Sequence, residues 1–225
     1  MKPVVIIVHE VRGITENLRL LASLLESEGY CVILPSLYGE NYAGSDGQES
    51  YDRFFRDVGI EKATEMIGEI ITANDGAGIT LLGFSVGATI AWLQSRNGKV
   101  RSVVGFYGSR IRHCLDIEPL ADVDLFFCRE RGFDAEELIG RLNGKQNVAA
   151  RLISGDHGFY SKLNFDSPGI REANRMILAS LKKVYIAPEE QAKNGAARDS
   201  GEETGGAAHT PERSGKKGRY DVRSA

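Results

Sequence analysis

The chain has 225 residues, 42% of them apolar, with a formal net charge of −3 and a pI near 5.9, enough for one buried core in one main domain. This balance carries no concentrated basic face for nucleic acid, and no apolar run approaches the roughly 18 residues of a membrane-spanning helix. Three scattered cysteines, Cys31, Cys114 and Cys128, suit a reducing cytoplasm better than a disulfide framework.

Val4 to Val8 is an unbroken apolar, mostly β-branched run. It predicts a first strand buried on both faces, and it is too short for the apolar region of a signal peptide. Leu18, Leu21, Ala22 and Leu25 fall on one face of a helix predicted over 15–28, with Thr15 placed to cap it and Gly29 to end it. A second strand runs from Tyr30 to Leu34 and is closed by Pro35. A polar, Gly-rich loop covers 38–50. The spacing of Phe54, Phe55, Val58, Met66, Ile67, Ile70 and Ile71 then predicts one helix over 51–71, ended by the turn Asn74-Asp75-Gly76.

A third strand, 79–82, runs into Gly83-Phe84-Ser85-Val86-Gly87 and a helix to about Ser95. Strands over 100–107, 123–128 and 148–153 and helices over 135–142 and 170–184 complete the pattern. Strands alternating with helices imply βαβ units and a mostly parallel sheet covered on both faces. Ligands of such sheets sit at the carboxyl ends of the strands, and His9, Ser85 and His157 all follow strands. From about Pro188 the composition turns to Gly, Ala, Ser and charged residues, so 1–187 is read as the folded domain and 188–225 as a disordered polar tail.

The segment Gly83-Phe84-Ser85-Val86-Gly87 has the form of a nucleophile elbow: a sharp strand-to-helix turn that presents a serine hydroxyl, with glycines where a side chain would clash. The following helix directs its N-terminus at the site, and the Val86 amide is one expected oxyanion donor. The other is expected from the loop His9-Glu10-Val11-Arg12-Gly13. His157, just after the sixth strand, is the candidate base, because a serine hydroxyl is a poor nucleophile until a neighbour takes its proton. Among His9, His113, His157 and the cysteines the one close pair is His113-Cys114, too weak a signal for a metal site.

Four stretches together resemble the dienelactone hydrolase family. They are His9-Glu10-Val11-Arg12-Gly13, the run from Glu28-Gly29-Tyr30 to Pro35-Ser36-Leu37-Tyr38-Gly39, and the pair of motifs Gly83-Phe84-Ser85 and His157-Gly158-Phe159. The resemblance spans about 3–185. It implies a three-layer α/β-hydrolase fold, hydrolysis of a small ester or lactone, in that family often carrying a carboxylate, and neither metal nor organic cofactor. Carried over, it makes Ser85 the nucleophile, His157 the base, Glu10 an acid beside the nucleophile, and the Val11 and Val86 amides the oxyanion donors.

The chain departs from the pattern at several points. Serine replaces the cysteine of the best-known members and depends more on His157 for activation. Ser36 replaces an aspartate. The stretch after the fifth strand, where the family places its triad acid, is shortened here. Asp134 is the expected acid, with Glu130 the alternative, and Asp134 also stands where it would cap the helix beginning at Ala135. Of the two arginines with which the family holds a carboxylate, the first falls in the region of Arg53 and Arg56, so Arg53 is the expected substrate contact. The second is replaced by Ser161, next to Lys162. The expected partner is a small-molecule ester, with no nucleic acid or membrane, and the expected state a monomer or small homo-oligomer. Two further readings keep the fold: a catalytically weak or inactive binding module, and acyl transfer or thioester cleavage on the same residues.

Overall fold

A computed structural model describes residues 2–39, 42, 44, 47–74, 76 and 78–185. The expected tail, 188–225, lies outside the described residues. In chain order the elements are β1 (Val4–Val8), α1 (Glu16–Ser27), β2 (Cys31–Ile33), α2 (Gln48–Asp57), α3 (Gly59–Ala73), β3 (Ile79–Phe84) and α4 (Val86–Gln94). There follow β4 (Val100–Phe106), a 3-10 helix (Ser109–His113), β5 (Asp122–Phe127), α5 (Ala135–Asn143), β6 (Val148–Leu152), α6 (Phe159–Lys162) and α7 (Pro168–Tyr185). Among the described residues no helix is long and apolar enough to cross a membrane.

The six strands form one parallel sheet in the order β2-β1-β3-β4-β5-β6. Side chains alternate across it, as the period of a strand requires. From β1, Val4, Ile6 and Val8 join a core with Ile67 and Ile71 of α3, Ile90 and Trp92 of α4, and Leu138 and Leu142 of α5. Val5 and Ile7 join a second core with Leu18, Leu21 and Leu25 of α1 and Ile170, Ile177 and Leu181 of α7. The continuous apolar run of β1 is thus explained: its five residues are all buried, because helices cover both faces. Each fully buried leucine or isoleucine contributes about 1.5–3 kcal/mol of transfer free energy.

The expected α/β-hydrolase architecture is present, and the local differences have physical causes. The single helix expected over 51–71 is two, divided at Val58 and Gly59. Gly59 adopts φ +74, a left-handed conformation that ends one helix and re-aims the next. Thr15 occupies the position before α1 but makes no side-chain capping bond, its hydroxyl being buried without a partner among the described residues. The 3-10 helix and α6, five and four residues long, carry too little periodicity to be seen in advance.

After β2 the chain crosses to the other side of β1 to add β3, so the strand order reverses between β1 and β3. That reversal opens a crevice above the carboxyl ends of these two strands.

Candidate active site

The register of the sheet sets the site. Val8 of β1 pairs with Gly83 of β3, so two residues further on Glu10 and Ser85 emerge at the same level of the sheet edge. Ser85 sits between β3 and α4 with φ +53 and ψ −115, a strained conformation for a residue with a side chain. Both flanking glycines are required sterically. A Cβ on Gly87 would lie 2.1 Å from the Val8 carbonyl oxygen, and one on Gly83 would lie 2.4 Å from the Gly87 carbonyl oxygen. The Ser85 N–H donates to the Phe106 carbonyl at 2.9 Å, tying the turn to β4.

His157 arrives from beyond β6, and its Nε2 lies 2.8 Å from Ser85 Oγ. Its Nδ1 lies 2.7 Å from Glu130 Oε1. A carboxylate oxygen accepts, so Nδ1 carries the ring proton of the neutral imidazole and Nε2 is free to accept the serine proton. Glu130 projects from the loop after β5, and its side chain is only 16% exposed. Tyr107, itself at φ +42 and fully buried, packs against the His157 ring with centroids 5.0 Å apart, and Phe159 packs on Tyr107. The imidazole is held from behind as well as from both nitrogens.

The third member of the expected set is corrected. Asp134 does not reach His157: its side chain accepts the Glu137 N–H at 3.0 Å and caps α5. The loop after β5 is short, so a glutamate three residues past the strand, with its longer side chain, meets the histidine. Arg53 is corrected too. It is absent from the cleft lining, because its guanidinium sits 4.0 Å from the Tyr42 ring centroid and 3.6 Å from Asp57 one helical turn on.

Ser85 and His157 open onto a cavity of about 280 Å³, which Glu10, Val11 and Val86 also line. Val86 is the first residue of α4, so its N–H has no intrahelical acceptor. Val11 is held in place by its neighbours. Its carbonyl accepts the Tyr38 hydroxyl at 2.6 Å, and the Gly13 N–H closes a turn on the Glu10 carbonyl at 3.0 Å. His9 also works here, structurally. Its Nε2 accepts the Leu37 N–H at 2.9 Å, which leaves Nδ1–H to donate to the Glu10 carbonyl at 2.7 Å. Burial lowers its pKa to about 4, so it is a neutral strut between the loops after β1 and β2.

Glu10 is 3% exposed, and burial raises its carboxyl above the usual range. A hydrogen bond from the Ser161 side chain and the charges of His157, Arg12 and Lys162 oppose that rise. Its Oε1 has no partner among the described residues. Ser161 therefore has a role of its own here, holding Glu10. Two basic residues fasten the histidine loop: Arg12 donates to the Ser161 carbonyl at 3.1 Å, and Lys162 to the His157 carbonyl at 3.1 Å.

A profile of the dienelactone hydrolase family matches residues 1–127. The chain belongs to the dienelactone hydrolase family. It is 37% identical over 163 residues to the uncharacterized protein YczH of Bacillus subtilis, a stretch covering 70% of this chain and 81% of that protein. It is 25% identical over 203 residues to a carboxymethylenebutenolidase of Pseudomonas sp. strain P51, covering 81% and 85%. Among solved structures it is similar to a dienelactone hydrolase from Anabaena variabilis, with TM-score 0.59 and 16% identity over 83% of this chain and 88% of that one. This last likeness is one of fold. As a member of the dienelactone hydrolase family with this architecture, the protein is a hydrolase of the carboxylic ester class.

Arg12, Tyr51, Arg110 and Arg112 also line the cavity and were not anticipated from sequence. Two arginines in the short segment after β4, at the carboxyl edge of a parallel sheet, were the available signal. The 3-10 helix that carries them is too short to register as an element.

Proposed function

We propose that this protein is a serine-dependent hydrolase of a small, carboxylate-bearing ester or lactone, acting through an acyl-enzyme. The observation that carries the reading is the relay from Ser85 Oγ to His157 Nε2 at 2.8 Å and from His157 Nδ1 to Glu130 at 2.7 Å. Ser85 Oγ attacks the acyl carbon as its proton passes to Nε2. The Val11 and Val86 amides receive the developing oxyanion. Collapse breaks the acyl–oxygen bond, and the proton on Nε2 goes to the departing alkoxide. A water molecule then repeats the sequence on the acyl-enzyme, giving up its proton to Nε2 and releasing the acid and Ser85.

The missing aspartate and the polar extension favoured a non-catalytic binding module; Glu130 at 2.7 Å from His157 Nδ1 speaks against the first of these reasons. Three thiols with no disulfide between them support a cytoplasmic location. A fluorophosphonate probe tests the central step. Mass spectrometry is expected to find the label on Ser85 of the wild-type protein and none on His157→Ala. Equal labelling of a Ser85→Ala protein would overturn the assignment.

A further inference from the structure

Two peptide units meet at Val11, and each is pinned by a side chain that does not line the cavity. The carbonyl of the Glu10–Val11 peptide accepts twice, from His9 Nδ1–H at 2.7 Å and from the Gly13 N–H at 3.0 Å. A trans peptide sets its N–H opposite its C=O. Fixing the Glu10 carbonyl against the buried His9 ring therefore turns the Val11 N–H the other way, and Val11 lines the cavity with Ser85. That N–H has no hydrogen-bond partner among the described residues. The next peptide is held by its own carbonyl, which accepts the Tyr38 hydroxyl at 2.6 Å.

His9 and Tyr38 are themselves fixed by the loop after β2. Ile6 of β1 pairs with Ile33 of β2, so His9 comes level with Ser36, and the next N–H along, that of Leu37, donates to His9 Nε2 at 2.9 Å. That bond makes Nε2 the acceptor and puts the ring proton on Nδ1, where the Glu10 carbonyl takes it up. The Tyr38 ring stacks on His9 with centroids 5.8 Å apart and meets Tyr42 and Phe54 edge to face. Burial pushes the Tyr38 hydroxyl up to about 12, so it donates throughout the working pH range. We propose that His9 and Tyr38 are positioning residues for the oxyanion hole. Through them the loop after β2, outside the cavity, sets the direction of the Val11 N–H and with it the rate of acyl transfer. The role rests on the proposed reading for the reaction, but not for the orientation of the peptide.

Two substitutions at one position separate a peptide clamp from a strut between loops. His9→Asn keeps a donor at the place of Nδ1 and loses the acceptor for Leu37, whereas His9→Gln keeps that acceptor and loses the donor to Glu10. A clamp is better served by asparagine, a strut by glutamine. With 4-nitrophenyl valerate, well below each melting midpoint, kcat is expected to fall about 100-fold in His9→Gln and about 10-fold in Tyr38→Phe, against about 10²–10³-fold for outright loss of an oxyanion donor. His9→Asn is expected within about fivefold of wild type, and KM little changed in all three. The inhibition constant of pentyl trifluoromethyl ketone, whose hemiketal with Ser85 places an alkoxide in the hole, should rise by the same factors, while that of methyl pentyl ketone stays constant. A kcat within about twofold of wild type in both His9→Gln and Tyr38→Phe, a His9→Gln enzyme faster than His9→Asn, or a loss confined to KM overturns the proposal. The second measurement needs no turnover. In nitrogen-15 NMR spectra of Ser85→Ala protein the Val11 amide is expected to stay sharp with His9 or His9→Asn. With His9→Gln or Tyr38→Phe it is expected to broaden by exchange between orientations while the Val86 amide stays sharp. A Val11 amide that stays sharp throughout overturns the clamp. The expected broadening in a protein whose wild type cleaves no ester supports the clamp and sinks the hydrolase reading alone.

Discussion

Replacing Glu130 by glutamine removes a charge and changes almost no volume, so it isolates what the carboxylate does. In the ground state Glu130 Oε1 accepts from Nδ1 at 2.7 Å. In the attack step His157 becomes a cation beside it. At an effective dielectric near 20, unit charges about 4 Å apart interact by about 4 kcal/mol, and 4 kcal/mol in the barrier is about a thousandfold in rate. Glutamine also permits an amide N–H to face Nδ1, which favours the tautomer with its proton on Nε2, where it cannot accept from Ser85. The analogous change in a serine triad costs about 10⁴-fold. Glu130→Gln is therefore expected to lower kcat for 4-nitrophenyl valerate about 10³–10⁴-fold, with little change in thermal midpoint. Asp134→Ala is the control. It removes the cap on α5, worth about 1 kcal/mol or 2–4 °C in a domain of this size, and leaves kcat near wild type. Stopped-assay kinetics and a melting curve on both variants decide it. A Glu130→Gln enzyme within tenfold of wild type, or an Asp134→Ala enzyme losing a thousandfold at an unchanged melting point, would refute the assignment of the acid.

Two stability effects follow from the struts of the site. His9 is neutral in the folded protein with a pKa of about 4, against about 6.5 when unfolded, so the unfolded chain takes up a proton that the folded chain refuses as pH falls through that window. Stability contributed by neutral His9 is present above pH 6.5 and lost toward pH 4, about 3 kcal/mol in total. The raised pKa of Glu10 works the other way, so the measurement is a comparison. Denaturant unfolding of His9→Gln between pH 7.5 and 5 should show a flatter acid limb than wild type, and parallel limbs would contradict the neutral strut. Gly87→Ala places a Cβ 2.1 Å from the Val8 carbonyl oxygen and forces α4 away from β1, at a cost of about 3 kcal/mol or more. Gly140→Ala in the exposed middle of α5 meets nothing and should stabilise by up to about 1 kcal/mol. Equal unfolding midpoints for these two would show that the elbow is not sterically locked.

Sequence alone determined the layers and pointed to the Ser85–His157 pair that the structure brings together. The unbroken apolar run of β1 and the helical spacing of α1 and α7 depend on burial repeated at fixed periods, which a linear pattern records. Ser85 was legible because its backbone turn leaves a local trace, two glycines forced by contacts with Val8 and Gly87. What only the tertiary structure decided is who meets whom from different strands. Whether Asp134 or Glu130 reaches His157 turns on the length of the loop after β5 and on one helix cap. That Arg110 and Arg112, and not Arg53, face the cleft turns on a 3-10 helix too short to leave a period, and on an ion pair with Asp57 that draws Arg53 away. Spacing along the chain carries the geometry of an element; distances between elements arise only when the sheet sets six strand ends side by side.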